Sequence, residues 1–92
     1  MDSTGRMQRI RSAIERRLDP AHLSIADDSA AHAGHAGARE GGHFRVQIVS
    51  ERFRGCSALE RHRLVYEAVG ELMGRDIHAL NIVARTPEEE ST

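Results

Sequence analysis

The sequence has no lysine, no tryptophan and no long apolar run, and it contains a single cysteine, Cys56. One thiol cannot close a disulfide within the chain or build a four-thiolate metal site. No stretch reaches the ~20 apolar residues that a membrane-spanning helix needs, and residues 1–11 lack the apolar core of a signal peptide. We therefore expect a cytoplasmic protein that binds no membrane and contains no internal disulfide.

Aromatic residues are also scarce, since Phe44, Phe53 and Tyr66 are the only three. Few side chains are thus available to stack on nucleic-acid bases. The 13 basic residues, all of them arginine, face 14 acidic residues, which gives a formal net charge of -1. This balance excludes a protein that coats nucleic acid through its overall charge, but it leaves room for a local basic surface.

Residues suited to catalysis are not grouped in a recognisable pattern. The sequence has no phosphate-binding glycine motif and no pair of acidic residues in a catalytic setting. Cys56 precedes a predicted helix start, a position that favours a thiolate, but the sequence pairs no base with it. A thiol enzyme therefore ranks behind two binding hypotheses, which are described below. We expect a protein that binds a partner rather than catalyses a reaction.

The apolar pattern predicts the order helix, strand, strand, helix, strand. Apolar residues at three- and four-residue spacing indicate a helix over residues 7–18, which Asp19-Pro20 ends. Alternation predicts a short strand over residues 23–26 and a clear strand from 44 to 49. A third strand is expected over residues 77–84.

The second helix carries end signals in the sequence. Ser57 and Glu60 match a capping box, which predicts the start of this helix. Gly74 is predicted as its left-handed C-terminal cap.

These elements predict an α/β fold with a three-stranded mixed sheet and both helices on one face. The strand–helix–strand unit predicts that the last two strands are parallel. We expect one domain over residues 1–87 and an acidic disordered tail over residues 88–92. Residues 28–42, rich in glycine and histidine, are expected to form a long loop, and such loops are often functional.

Six histidines are the unusual feature of the composition. His32 and His35 lie in the predicted loop and are either solvated residues or metal ligands. His43 and His78 begin the second and third strands, and His78 is either a residue at the rim of the core or a ligand. Four ligands would come together only if the loop folded back over the sheet, so a partner is expected to supply the rest of any site.

A second candidate surface is basic. Between residues 45 and 63, five arginines face two glutamates, and the candidates for a partner or nucleic-acid surface are Arg52, Arg54, Arg61, His62 and Arg63. These residues are either a solvated helix start or a docking surface for an acidic partner or for phosphates. The predicted second helix begins in the same region, and a helix N-terminus favours anions.

Several segments resemble the BolA family, in the order expected and over about residues 7–88. The segments are Asp28-Ser29-Ala30-Ala31-His32-Ala33-Gly34-His35-Ala36-Gly37, His43-Phe44-Arg45-Val46, Val49-Ser50-Glu51-Arg52-Phe53-Arg54-Gly55, Arg61-His62-Arg63-Leu64-Val65-Tyr66, Ile77-His78-Ala79-Leu80 and Arg85-Thr86-Pro87-Glu88. The resemblance implies a class II KH-like fold, in agreement with the predicted order of elements.

The resemblance also implies a function. Family members look like partners of monothiol glutaredoxins, with which they share a bridging [2Fe-2S] cluster or form apo heterodimers in iron-sulfur trafficking and iron or redox regulation. In the branch with a loop histidine, the ligands correspond to His32 and His78, with His35 as an alternative. The glutaredoxin supplies its cysteine and a bound glutathione thiolate. Two histidines in place of two cysteines raise the potential of such a cluster, as in Rieske centres.

The alternative implied by the resemblance is a DNA-binding transcriptional regulator. In that role the segment Arg61-His62-Arg63 forms part of a helix-turn-helix-like surface. The isolated protein is expected to hold no cluster and to be a monomer or a weak homodimer.

Overall fold

One face of the sheet packs against the core, as the alternation of buried and exposed residues along its central strand shows. Phe44, Val46 and Ile48 are buried, whereas Arg45 and Gln47 between them are exposed. This period of two is that of a strand with one face against the core. The computed structural model describes residues 3–28 and 42–91. Their helices and strands are α1 (Ser3–Leu18), β1 (His22–Asp27), β2 (His43–Val49), α2 (Ala58–Val69), β3 (Ala79–Arg85) and α3 (Pro87–Ser91).

The three strands form one mixed sheet in the order β1-β2-β3. β1 pairs with β2 in antiparallel fashion, with Ile25 opposite Val46, and β2 pairs with β3 in parallel, with Val46 opposite Ile82. The predicted α/β fold, with its α-β-β-α-β order and mixed sheet, is confirmed. Residues 29–41 of the predicted loop lie outside the described residues.

The core lies between α1, α2 and the covered face of the sheet. Ile10, Ile14 and Leu18 of α1 are buried, as the three- and four-residue spacing predicts. Asp19 ends this helix with a φ of 43°, and Pro20 follows. The buried Ser50 hydroxyl donates to the Leu18 carbonyl at 2.5 Å and so ties the end of α1 to the end of β2.

The predicted capping box at the start of α2 is confirmed. The Glu60 N–H donates to Ser57 Oγ at 3.1 Å, and the Ser57 N–H donates to Glu60 Oε1 at 2.8 Å. The predicted end of this helix was wrong. α2 ends at Val69 with Gly70 as its cap, and a short 3-10 turn over Gly70–Leu72 follows.

The predicted cap, Gly74, belongs instead to the turn that leads into β3. Gly74 has a φ of 85°, and its N–H donates to the Ile77 carbonyl at 2.8 Å. The Leu72 carbonyl accepts from the N–H groups of Arg75, Asp76 and Ile77 at 3.1, 2.9 and 2.9 Å. This turn explains why β3 begins at Ala79 rather than at the predicted Ile77.

The predicted disordered tail over residues 88–92 is corrected by the structure, in which α3 spans Pro87–Ser91. The Thr86 N–H donates to Glu89 Oε1 at 2.8 Å, and the Glu89 N–H donates to Thr86 Oγ1 at 3.3 Å, which is a second capping box. Pro87 occupies the first helical position, which its fixed φ suits. α3 contacts β3 and is therefore part of the domain.

Candidate functional site

His78 lies at a corner of the sheet, in the turn just before β3, and its side chain is exposed. Its N–H donates to the Gly42 carbonyl at 2.7 Å, and the Ala79 N–H donates to the same carbonyl at 3.0 Å. Gly42 is the last residue before β2. The backbone of the predicted ligand His78 is therefore fixed to the point where the chain enters β2. The residues before this point, 29–41, contain His32 and His35 and are called the histidine-containing segment below.

Gly42 is suited to this contact by its conformation and its lack of a side chain. It has a φ of +80°, and a Cβ at this position would lie 2.8 Å from the Asp76 carbonyl oxygen and 2.9 Å from the His78 nitrogen. The same Cβ would lie 3.4 Å from Cδ2 of the His78 ring. Only glycine combines this φ with such a close approach without strain.

Both ends of the histidine-containing segment meet at this corner. The Asp28 N–H donates to the His43 carbonyl at 2.7 Å, and His43 pairs with Ala79 in the parallel ladder. The predicted loop ligands, His32 and His35, lie outside the described residues. The chain that carries them leaves the sheet at Asp28 and returns at Gly42, beside His78.

The turn that carries His78 is also fixed to α1. Arg9 donates to Asp76 through Nε and Nη2, both at 2.9 Å, and Arg6 Nε lies 3.9 Å from the same carboxylate. The hydrogen bond from Arg9 holds the pKa of Asp76 below its ordinary value, with the charges of Arg9, Arg6 and Arg75 acting in the same direction. Asp76 thus positions the His78 turn.

A groove of about 500 Å³ opens at the same corner. It is lined by residues of β2, α2 and β3, among them His43, His62 and Tyr66. Tyr66 is 42% exposed and belongs to α2. The sequence groups His62 with the arginines, but the structure also places it beside the groove at the His78 corner. The helical period of α2, with His62 and Tyr66 four residues apart, was the signal for this pairing.

The donor set at this corner fits part of a metal site. His78 offers an exposed imidazole on an anchored backbone, and imidazole is a common metal ligand. Within residues 3–28 and 42–91, no three or more His, Cys, Asp or Glu side chains are grouped to hold a metal ion. Among the described residues, the corner therefore offers His78 as one candidate metal ligand and no complete ligand set.

The predicted arginine surface differs from the expected one. The Arg61 side chain is only 15% exposed. Its Nε donates to the Cys56 carbonyl at 3.0 Å, and its Nη1 donates to the Ala84 carbonyl at 3.1 Å. The guanidinium also lies over the Phe53 ring, 6.0 Å from its centre. Arg61 therefore joins α2 to β3, and its side chain is largely buried rather than solvated.

Glutamates offset several charges of this surface. Glu89 binds Arg61 through both carboxylate oxygens, at 2.7 and 3.1 Å. Arg54 pairs with Glu51 and with Glu88. The hydrogen bonds that Arg54 donates to the carboxylates of Glu88 and Glu51 raise the pKa of Arg54. Of the predicted surface residues, Arg52, Arg54, His62 and Arg63 are exposed.

Cys56 lies in the turn before α2 and is half-buried. Its thiol donates to the Arg52 carbonyl at 3.6 Å, a contact typical of a small residue in a turn.

Among the described residues, none of the helices has the length and apolar character needed to span a membrane.

The order of elements, the mixed sheet and the anchored corner define a small α/β domain of the BolA type. The sequence profile of the family described as BolA-like protein matches residues 14–89. The BolA domain of SufE1 from Arabidopsis thaliana has a similar structure, with a TM-score of 0.81, 43% identity, and coverage of 97% of this chain and 98% of that one. The chain belongs to the BolA family.

Two curated relatives extend this comparison. The chain is 43% identical over 88 residues to Protein BOLA1, chloroplastic, of Arabidopsis thaliana, a match that covers 91% of this chain but only 55% of that protein. It is 34% identical over 82 residues to the DNA-binding transcriptional regulator BolA of Escherichia coli (strain K12), with 89% and 76% covered. The motif resemblance in the sequence is thus confirmed at the level of the family.

Proposed function

We propose that this protein is a non-enzymatic partner of a monothiol glutaredoxin and shares a [2Fe-2S] cluster with it. In this proposal His78 and a loop histidine, His32 or alternatively His35, are the ligands from this chain. The glutaredoxin supplies its cysteine and a bound glutathione thiolate. The single observation that carries the proposal is the contact between Gly42 and His78, because it brings the ends of the histidine-containing segment beside an exposed imidazole.

The surroundings of His78 support a shared site. An exposed ligand at a corner is accessible to a second protein, whereas a buried four-ligand site would not be. The groove beside it offers Tyr66, a residue type enriched at the centres of protein interfaces. Two nitrogen and two sulfur ligands would give the shared cluster a higher potential than four thiolates. These features fit a role in iron-sulfur trafficking or in iron and redox regulation, and we place that role in the cytoplasm.

Anaerobic cluster reconstitution with a glutathione-loaded monothiol glutaredoxin tests the proposal. The measurement is visible absorption and circular dichroism of the natural chain and of His78→Ala and His22→Ala. His22 is a matched control, because it is exposed and pairs with Val49 at the opposite end of the sheet from Ala79. We expect a heterodimer spectrum that His78→Ala changes and His22→Ala leaves intact. A complex indifferent to both substitutions would contradict the assignment of His78.

The second candidate function is DNA binding, which the likeness to the Escherichia coli regulator favours. Arg52 and Arg63 are exposed, and neither belongs to the network of Arg61. If these two arginines contact phosphates, the affinity for a DNA duplex falls steeply as the salt concentration rises. The double variant Arg52→Gln with Arg63→Gln is then expected to bind DNA more weakly. Arg16→Gln with Arg17→Gln, at the end of α1, is the charge-matched control. Equal loss in both double variants would speak against a specific surface.

A further inference from the structure

α3 presents three consecutive glutamates, and each pairs with an arginine of a different element. Glu88 pairs with Arg54 in the turn before α2, and Glu89 pairs with Arg61 in α2. Glu90 lies 3.5 Å from Arg85, the last residue of β3. A helix of five residues thus covers three arginines from three separate elements of the chain.

The charges of this region are balanced only while α3 is in place. Five arginines, at positions 52, 54, 61, 63 and 85, face five glutamates, at positions 51, 60, 88, 89 and 90. Three of the five glutamates belong to α3. Without the α3 glutamates these residues carry a formal net charge of +3, which attracts a polyanion.

The contacts that hold α3 against the domain are exposed and weak. A helix this short is not stable alone and depends on its contacts. None of residues 87–90 is buried, and the side chains of Glu88, Glu89 and Glu90 are 71, 47 and 46% exposed. Exposed ion pairs contribute little stability and are screened by salt. The cover is therefore held by contacts that a competing anion can replace.

We infer that α3 is an autoinhibitory cover over a phosphate-binding face formed by Arg54, Arg61 and Arg85, and that a nucleic-acid backbone displaces it. Carboxylates and phosphates bind the planar guanidinium in the same two-pronged manner, as Glu89 does with Arg61. A nucleic acid suits the uncovered face better than a single acidic side chain does, because its successive phosphates can pair with more than one arginine at a time. This inference rests on the second candidate function, DNA binding.

Two variants remove the cover to different extents. Glu88→Gln with Glu90→Gln removes the α3 charges that face Arg54 and Arg85 but retains Glu89 and its capping box with Thr86. The triple variant, with Glu89→Gln added, removes all three α3 charges that face the arginines. The control is Glu15→Gln with Glu67→Gln and Glu71→Gln, which removes the same charge from α1, α2 and the turn after α2. Urea unfolding establishes that each variant is folded.

The probe is a mixed-sequence DNA duplex, and the measurement is its fluorescence anisotropy over a range of salt. Three additional phosphate contacts predict that the triple variant loses about 40-fold more affinity than the natural chain between about 50 and about 200 mM salt. We also expect it to bind roughly tenfold or more tightly at the lower salt, with the double variant intermediate and the control unchanged.

Three other outcomes would overturn the inference. Equal binding by the natural chain and the triple variant would refute the cover while leaving DNA binding intact. No binding by any folded variant would refute both the cover and the DNA-binding function. Tighter binding by the triple variant and the control alike would assign the effect to net charge rather than to α3. The glutaredoxin proposal depends on none of these results.

Discussion

The Gly42 carbonyl accepts hydrogen bonds from His78 and from its neighbour Ala79, so the histidine-containing segment and the candidate ligand share one anchored corner. The contact depends on the absence of a side chain at residue 42, where a Cβ would meet backbone atoms at 2.8 and 2.9 Å. Backbone contacts therefore anchor this corner, and they require glycine at residue 42.

Gly42→Ala is expected to disturb both stability and the shared cluster. Gly55→Ala is a matched control, because Gly55 has a nearly identical φ of +78° but nothing within 4 Å of the added Cβ. Both variants incur backbone strain of about 1 to 3 kcal/mol. We expect Gly42→Ala to cost at least about 1 kcal/mol more in urea unfolding, because the backbone around His78 must also shift. Equal losses in the two variants would show that the close contact is unimportant.

Asp76→Asn is expected to loosen the turn that carries His78. The substitution removes the charge that binds Arg9 through two hydrogen bonds of 2.9 Å. We predict a loss of about 1 kcal/mol in the free energy of unfolding at neutral pH. Glu15→Gln is the control, since the Glu15 carboxylate forms an exposed pair with Arg11 at 3.9 Å, a type of contact that contributes little stability. A loss no larger than that of the control would contradict the positioning role of Asp76.

The attachment of α3 should depend on pH in the acid range. The hydrogen bonds from Arg61 and from the Thr86 backbone lower the pKa of Glu89 from 4.5 to about 2. A lowered pKa in the folded state stabilises the fold fully above 4.5, and this contribution is lost as the pH falls from 4.5 towards about 2. Carboxyl NMR titration of Glu89 measures the value directly. We expect Arg61→Gln to raise it, whereas titration of the natural chain near 4.5 would argue against the pair.

The capping box of α2 provides a stability prediction independent of the site. Ser57→Ala leaves the Glu60 N–H without its side-chain acceptor and should cost about 1 kcal/mol in urea unfolding. Ser12→Ala, at an exposed position inside α1, is expected to cost nothing, because alanine favours a helix interior. Equal effects of the two substitutions would mean that the cap contributes no stability.

Local patterns predicted much of the fold. The alternation of Phe44, Val46 and Ile48 predicted the central strand with its covered face, and the capping box predicted the start of α2. Either Gly70 or Gly74 could end that helix, and the sequence does not distinguish them. The earlier one, Gly70, ends it because the chain must then form the turn that leads into β3.

Contacts between distant residues account for what the sequence did not predict. The run of glutamates at 88–90 is typical of a solvated tail, but its partners at residues 54, 61 and 85 become neighbours only in the folded domain. A local signal was present, because Thr86 and Glu89 match a capping box and Pro87 suits a first helical position. The same long-range contacts explain why Arg61 is largely buried rather than solvated.

The most direct test of the central claim is to identify which nitrogens bind the shared cluster. Histidine labelled with 15N in this chain alone, combined with unlabelled monothiol glutaredoxin and glutathione, allows pulsed EPR of the reduced heterodimer to detect such ligands. We predict strong coupling to two directly bound 15N nuclei in the natural chain and to one in His78→Ala, with the same loss in either His32→Ala or His35→Ala. A reconstituted heterodimer that shows no 15N coupling would contradict the claim that this chain supplies histidine ligands.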